Sequence, residues 1–154
     1  MNKVYMNDEV FINNGFSIST DNSLLDIDLI YNYLDKDSYW ANGIPFEKLE
    51  RSINNSLCFG LYYKQKQIGF ARVVTDKAVF GYLADVFILP EHRKKGLSKW
   101  LVQTIMAHPD LQGLRRWSLA TLDAHGLYAQ FGFTELTNSE RWMQIFTPHK
   151  IAES

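Results

Sequence analysis

A long apolar strand that runs into a basic loop and then a helix is the feature that most constrains this chain's fold. Residues 79–89 are almost all apolar, which predicts a strand at the centre of a sheet. Residues 93–96 form a basic, glycine-containing loop, and an apolar stripe predicts a helix over 97–108. Glycine lets a backbone approach an anion, and basic side chains beside a helix N-terminus favour one. This order of elements therefore predicts a pyrophosphate site.

The loop and the first helical residues resemble the coenzyme A signature of the GCN5-related N-acetyltransferases. That signature is Arg or Gln, two residues, Gly, one residue, then Gly or Ala. The matching residues are Arg93, Lys94, Lys95, Gly96, Leu97 and Ser98. Ser98 departs from the last position of the signature, although serine is small and its hydroxyl can donate to a phosphate.

A second window, DAHGLYAQFGF over 123–133, resembles the same family. Family members end the acetyl-coenzyme A site with a short helix carrying Leu-Tyr, followed by a Gly-Phe turn. The two windows occur in the family's order and spacing, and the resemblance covers about residues 16–146. It implies that acetyl-coenzyme A is the co-substrate.

Hydrophobic periodicity and turn residues predict an α/β fold with a mixed central sheet. The expected order is strand, two helices, three antiparallel strands, helix, strand, helix, strand, as in the resembled family. The predicted strands are 16–20, 57–63, 67–75, 79–89, 117–121 and 141–146, and the predicted helices are 24–36, 46–55, 97–108 and 124–130. The resemblance also implies that strand 79–89 splays from its neighbour to make a slot.

Composition limits the chain to a few classes of protein. With 154 residues, we expect a single acetyltransferase domain over 1–154. A formal charge of −1 gives no global reason to bind nucleic acid or an anionic membrane, and no apolar run approaches a membrane span. The one cysteine, Cys58, is expected to be buried and suits a cytoplasmic protein. We expect no metal, and exposed sheet edges make a homodimer plausible.

The resemblance assigns the cofactor to three places in the chain. Backbone groups of Val86, Phe87 and Ile88 pair with the pantetheine arm as if it were an added strand. The basic loop holds the pyrophosphate. Asp123 is expected to cap the short helix and so to set the angle at which Tyr128 projects.

Tyr128 matches the tyrosine that often serves as general acid in the family. A leaving thiolate has a pKa of about 8.5, and a tyrosine with a pKa of about 10 can protonate it. The structural alternative is a tyrosine that packs its ring in the core and donates to a backbone carbonyl.

The base has two candidates, Tyr82 and Asp85, with a water chain as a third route. Many relatives carry a glutamate eight residues before the proline, where this chain has Tyr82. Asp85 is the only carboxylate between Tyr82 and Leu89, and it either holds or deprotonates the amine or pairs with Arg72 on the neighbouring strand.

Tyr39 and Trp40 lie in the loop between the first two helices, where relatives commonly build the acceptor site. Adjacent aromatics can form a wall for a cationic amine, although core packing explains one of them equally well. The resulting hypothesis is an acetyl-coenzyme A dependent N-acetyltransferase acting on the primary amine of a small molecule. The alternative is a non-catalytic module of the same fold that binds or senses acyl-coenzyme A.

Overall fold

The computed structural model describes residues 6–149, which form a five-stranded mixed sheet with helices on its faces. Neighbouring strands from β1 to β4 pair antiparallel, and β4 pairs with β5 in parallel. The strands are β1 (Phe16–Ser19), β2 (Leu57–Tyr63), β3 (Lys66–Thr75), β4 (Phe80–Ile88) and β5 (Arg116–Ser118). The predicted α/β class with a mixed sheet is confirmed.

Five α-helices accompany the sheet within residues 6–149. They are α1 (Asp8–Asn13), α2 (Ile27–Asn32), α3 (Phe46–Asn54), α4 (Leu97–Met106) and α5 (His125–Ala129). Within the described residues, none of the helices is long and apolar enough to cross a membrane.

Side chains alternate across the central strands and so build a core on each face of the sheet. Phe59 and Leu61 of β2 belong to the core that includes α4, together with α1 and α5. Cys58 of β2 and Phe70 of β3 belong to the core that includes α2 and α3. The elements at the end of β4 are therefore supported from both faces.

The predicted helix over 24–36 is divided in the structure. Leu25 is extended, with φ −69° and ψ 135°, after a 3₁₀ turn over Asn22–Leu24. The Asp26 carboxylate then accepts a hydrogen bond from the backbone N–H of Leu29 at 3.1 Å and begins α2 afresh. A π-helical turn, Tyr33–Asp37, follows α2 and leads into the next loop.

The last predicted strand, 141–146, is wrong. Among the described residues after β5 there is no strand, and a 3₁₀ turn occupies Ser139–Arg141. Met143 and Ile145 are 95% and 99% exposed, so this segment is not packed on the sheet. Alternating apolar residues predict a strand only when a sheet edge receives them. Here no strand pairs with β5 on that side among residues 6–149, and the Trp142 ring lies under the Arg116 guanidinium at 4.8 Å.

Helix α1 was not predicted, and it packs against α4 behind the basic loop. The rings of Phe11 and Trp100 stack at 4.6 Å with an interplanar angle of 8°. The Trp100 indole N–H also donates to the Asp8 carboxylate at 2.7 Å. A Cβ added to Gly96 would lie 2.9 Å from Met6 Cε, so the segment around α1 lies directly against the loop.

We expect Phe11→Ala to lower the free energy of unfolding by about 3 kcal/mol, because it removes a buried ring that stacks on α4. Val10→Ala is the matched control, since Val10 is 53% exposed, and it should change stability by less than about 0.5 kcal/mol. Urea denaturation followed by circular dichroism measures both values. Equal effects of the two variants would contradict the packing described for α1.

Candidate functional site

The parallel pairing of β4 with β5 is short, and the two strands then part. Only three residue pairs form, ending with Tyr82 opposite Ser118, whereas β4 continues to Ile88. Within residues 6–149, the remaining length of β4 has no strand partner on that side. We call this divergence the fork. It leaves a backbone edge that can accept an extended, amide-bearing chain.

A β-bulge in β4 lies inside the fork. The β3–β4 register shifts between Phe70 and Arg72, and Asp85 has a left-handed φ of 57°. Aspartate is one of the few residues other than glycine that adopts this conformation readily. The bulge redirects β4 and sets where the Asp85 side chain points.

The Asp85 carboxylate is held by two donors. Its Oδ2 accepts from Arg72 Nε at 2.8 Å, and its Oδ1 accepts from the Trp40 indole N–H at 2.9 Å. The side chain of Asp85 is only 8% exposed, and Arg72 also donates to Ser56 Oγ at 3.2 Å. The ion pair with Arg72 that the sequence offered for Asp85 does form, and the role of Asp85 toward the amine stays a prediction.

The basic loop ends in two left-handed residues before α4. Lys94 and Gly96 have φ values of 66° and 78°, and Gly96 is the N-cap of α4. No side chain caps this helix, and its first internal bond runs from Trp100 N to the carbonyl of Gly96 at 3.1 Å. The backbone N–H groups of 97–99 are therefore available to an anion.

The Arg93 guanidinium makes two hydrogen bonds within the chain, and its predicted role as a pyrophosphate ligand stays a prediction. Its Nε donates to the carbonyl of Ile88 at 3.0 Å, and its Nη2 donates to the Tyr33 hydroxyl at 2.9 Å. Tyr33 in turn stacks on Phe87 with ring centroids 4.0 Å apart. Two nitrogens of Arg93 therefore brace the end of β4, although the residue as a whole is exposed, as are Lys94 and Lys95.

Tyr128 lies in α5 and is 8% exposed, with its ring at 6.0 Å from Phe133 in an edge-to-face contact. Burial, with a smaller contribution from Tyr39, raises the pKa of Tyr128 to about 12. Within residues 6–149 no hydrogen bond to this hydroxyl offsets the burial. Tyr128 is thus a neutral donor across the physiological pH range.

Tyr39 and Trp40 lie at the fork and contact both of its sides. Trp40 reaches Asp85 of β4, and the Tyr39 hydroxyl accepts from the backbone N–H of Leu122, between β5 and α5, at 2.9 Å. Their rings meet edge to face at 5.0 Å, and the residues are 58% and 38% exposed. They are not core residues, which agrees with a wall that a ligand can touch.

The predicted helix cap by Asp123 does not form. Ala124 is the N-cap of α5 and has no side-chain cap, while Asp123 is exposed. The turn is held instead by Thr121 Oγ1, which accepts from Ala124 N at 3.1 Å. A threonine hydroxyl three residues ahead of an N–H closes such a turn as an aspartate does.

The fork begins at Tyr82, whose side chain is 37% exposed and thus open to solvent. Sequence reasoning named Arg72 only as a candidate partner of Asp85, and it assigned no role in the site to Leu122 or Tyr33. The signal for Arg72 was present, because an arginine and an aspartate occur in two adjacent strands that are otherwise mostly apolar. The backbone N–H of Leu122 left no signal in the sequence.

Comparison with known families decides the broader class. The model of the acetyltransferase (GNAT) family matches residues 27–133, which includes β2–β5, the basic loop and α5. This chain is a GNAT protein. The match confirms the resemblance that the two sequence windows carry.

Relatives of this GNAT protein agree with the assignment. A Gibberella zeae protein, classed as an acetyltransferase by inference, is 36% identical and aligns over 75% of this chain and 76% of its own length. A crystal structure of a Xanthomonas campestris GNAT protein, also classed by inference, superposes with a TM-score of 0.85 at 54% identity, covering 87% of this chain and 94% of its own. Thialysine N-epsilon-acetyltransferase of Mus musculus is 29% identical over 56% of this chain and 49% of its own length.

Cys58 takes no part in the chemistry of this site. It is 1% exposed, and burial raises its pKa to about 12. At pH 8 roughly one part in 10⁴ of the thiol would be ionised, against about a quarter for a thiol of ordinary pKa.

We therefore expect the native protein to be unreactive toward Ellman's reagent at pH 8, and the unfolded protein to react at one thiol per chain. Spectrophotometric thiol counting with and without guanidinium measures this difference. A native thiol that reacts as fast as the unfolded one would contradict the burial, and Cys58→Ala provides the blank.

Proposed function

We propose that this GNAT protein transfers an acetyl group from acetyl-coenzyme A to the primary amine of a small molecule. The observation that carries the proposal is the fork, because it leaves β4 unpaired beside an uncapped helix N-terminus. The name of the mouse relative, which specifies the side-chain amine of thialysine, supports a small amine as the acceptor.

The cofactor would lie along β4 and end at α4. Backbone groups of 86–88 would pair with the pantetheine amides, although the carbonyl of Ile88 is already bonded to Arg93. The pyrophosphate would meet the N–H groups that follow Gly96, the hydroxyl of Ser98, and the charges of Lys94 and Lys95. Asp123 is exposed and lies two residues before the start of α5, and its contact with the cofactor remains a prediction.

The chemical step joins the amine nitrogen to the thioester carbonyl carbon and breaks the carbon–sulfur bond. The electron pair of that bond goes to sulfur, where Tyr128 would donate a hydrogen bond and act as the general acid. Because the pKa of Tyr128 is about 12 and that of the thiol is about 8.5, proton transfer from Tyr128 to the thiolate is unfavourable in free energy. The proton therefore moves to sulfur as the nitrogen loses its own proton to water, and solvent then returns a proton to the Tyr128 phenolate.

The proton of the amine would leave through water beside Tyr82. This side chain lies at the start of the fork and is exposed, so water can reach it. Asp85 is less suited to accept the proton, because both of its oxygens already bind donors. We assign Asp85 to holding the site in shape.

The second candidate is a module that binds acyl-coenzyme A without turnover. Such a module needs the basic loop and the unpaired β4 edge, but neither a buried tyrosine donor nor an acceptor wall. Tyr128 is buried with a raised pKa, and Tyr39 and Trp40 stand exposed at the fork. These features favour the enzyme.

A homodimer and a cytoplasmic location remain predictions. The dimer gains support from the exposed apolar side chains of Met143, Ile145 and Phe146, since water disfavours exposed apolar surface. A cavity of about 250 Å³ lies nearby between β5 and 131–137, and Arg116, which covers Trp142, is part of its lining.

Tyr128→Phe should lower kcat by about 10²-fold or more and leave acetyl-coenzyme A binding unchanged, because only the donor to sulfur is lost. Thiol release from acetyl-coenzyme A with a panel of amines, thialysine included, measures turnover. Tyr31→Phe is the matched control, because the Tyr31 ring packs on the Phe46 ring with centroids 5.4 Å apart and makes none of the fork contacts described above. This variant should behave as wild type. Full turnover by Tyr128→Phe would exclude the proposed role.

Gly96→Glu should abolish acetyl-coenzyme A binding, because it places a carboxylate where the pyrophosphate would lie. Gly113→Glu is the matched control: Gly113 has a similar φ of 74°, and an added Cβ there meets nothing within 4 Å. Both variants add the same charge at a residue of similar φ, and because the Cβ at 96 also crowds Met6 Cε, circular dichroism first checks that both variants are folded. Isothermal titration that finds equal affinities for the two variants would place the pyrophosphate elsewhere.

A further inference from the structure

Two adjacent aromatic residues connect the two sides of the fork. We call the Tyr39–Trp40 pair the strap. On one side, the Trp40 indole N–H donates to Asp85 of β4 at 2.9 Å. On the other, the Tyr39 hydroxyl accepts from the N–H of Leu122, in the segment that leads to α5, at 2.9 Å. The strap thus joins the strand expected to hold the thioester arm to the segment that presents Tyr128.

The β4 attachment of the strap depends on a residue one strand further back. Arg72 of β3 donates to Asp85 Oδ2 at 2.8 Å, and the side chains of the two residues are 17% and 8% exposed. Arg72 is itself fixed by its bond to Ser56 at the start of β2. Because Asp85 has a left-handed backbone within a bulge, its carboxylate direction depends on these partners.

We propose that Arg72 is a positioning residue for acetyl transfer: through Asp85 it holds the strap across the fork, and the strap aligns the acceptor amine with the thioester beside Tyr128. The inference rests on the proposed function and extends it to a residue with no other role in the site. The carboxylate of Asp85 is a structural link in this arrangement, and it does not take up the amine proton.

The electrostatics of the fork agree with this arrangement. Tyr39 is near enough to Tyr128 to contribute to its raised pKa, so the strap lies close to the proposed donor. Its exposed ring faces can receive a cationic amine. A strap released from Asp85 would lose its position at β4, and displacements of about 1 Å are enough to slow a reaction strongly.

Three substitutions remove successive links of the chain of contacts. Trp40→Phe removes the indole N–H and one ring but keeps an aromatic side chain, Asp85→Asn keeps the shape of the side chain without its charge, and Arg72→Met removes the guanidinium. We expect each to raise the KM for the acceptor by about tenfold and to leave the KM for acetyl-coenzyme A unchanged. Trp142→Phe and Arg51→Met, at exposed positions, are the matched controls and should behave as wild type.

The readouts separate positioning from a merely structural role. A loss of folded protein would lower apparent kcat and leave both KM values unchanged, which would overturn the proposal. In a ¹H–¹⁵N spectrum, the Trp40 indole resonance, assigned through Trp40→Phe among the four tryptophans, should shift in Asp85→Asn and in Arg72→Met. An unshifted resonance in both variants would also overturn it. Where Arg72→Met fails to fold, Arg72→Lys, which keeps the charge but not the guanidinium Nε, and Asp85→Asn decide the kinetic test.

The pH profile distinguishes positioning from base catalysis. If Asp85 only positions, Asp85→Asn should keep the acidic limb of the kcat/KM profile of the wild type and resemble Trp40→Phe. Loss of that limb in Asp85→Asn, with a normal Trp40→Phe, would overturn the proposal and make Asp85 the base. A wild type that acetylates no amine would refute the proposed function itself, whereas a wild type that does so, with all three variants normal, would refute only the role of Arg72.

Discussion

The backbone of β4 beyond Tyr82 has lost its strand partner on one side, and the rest of the site depends on that unpaired edge. Backbone N–H and C=O groups are strong hydrogen-bonding groups that are costly to leave unsatisfied away from water. A sheet keeps such an edge when solvent or a ligand satisfies it. The edge runs toward the basic loop, so a chain bound along β4 is led to the N-terminus of α4.

Charge in the basic loop is divided between structure and ligand. Arg93, the first residue of the signature, is used to brace the end of β4 against Tyr33. The field of the helix N-terminus and the exposed Lys94 and Lys95 are what an incoming anion would meet. A helix terminus stabilises an anion by about 0.3–1 kcal/mol at the surface, so several N–H groups and both lysines are needed together.

The sequence predicted the sheet and the basic loop because both depend on local patterns. Each of these patterns can be recognised within about ten residues: the apolar run of β4, the glycine before α4 and the Leu-Tyr helix. Helix α1 was missed because its six residues bury only Phe11, which leaves no periodic stripe. The strand over 141–146 was predicted wrongly, because periodicity shows which side chains share a face but not whether a sheet edge is available for pairing.

The contacts of the fork lie beyond local pattern. Trp40 and Asp85 are 45 residues apart in the chain, and Tyr39 meets Leu122 across 83. Such contacts follow from the bulge in β4 and from the turn after α2, neither of which has a sequence signature here. Charged residues in apolar strands indicated the pair of Arg72 with Asp85, but nothing in the sequence indicated that Trp40 also binds Asp85.

Amide hydrogen exchange with and without coenzyme A tests the central claim most directly, because it reports on the unpaired edge itself. The account predicts that coenzyme A slows exchange of β4 amides between Leu83 and Ile88 and of the first amides of α4, while β1 and β2 stay unchanged. Slowed exchange elsewhere, with those amides unaffected, would show that the fork is not where the cofactor lies.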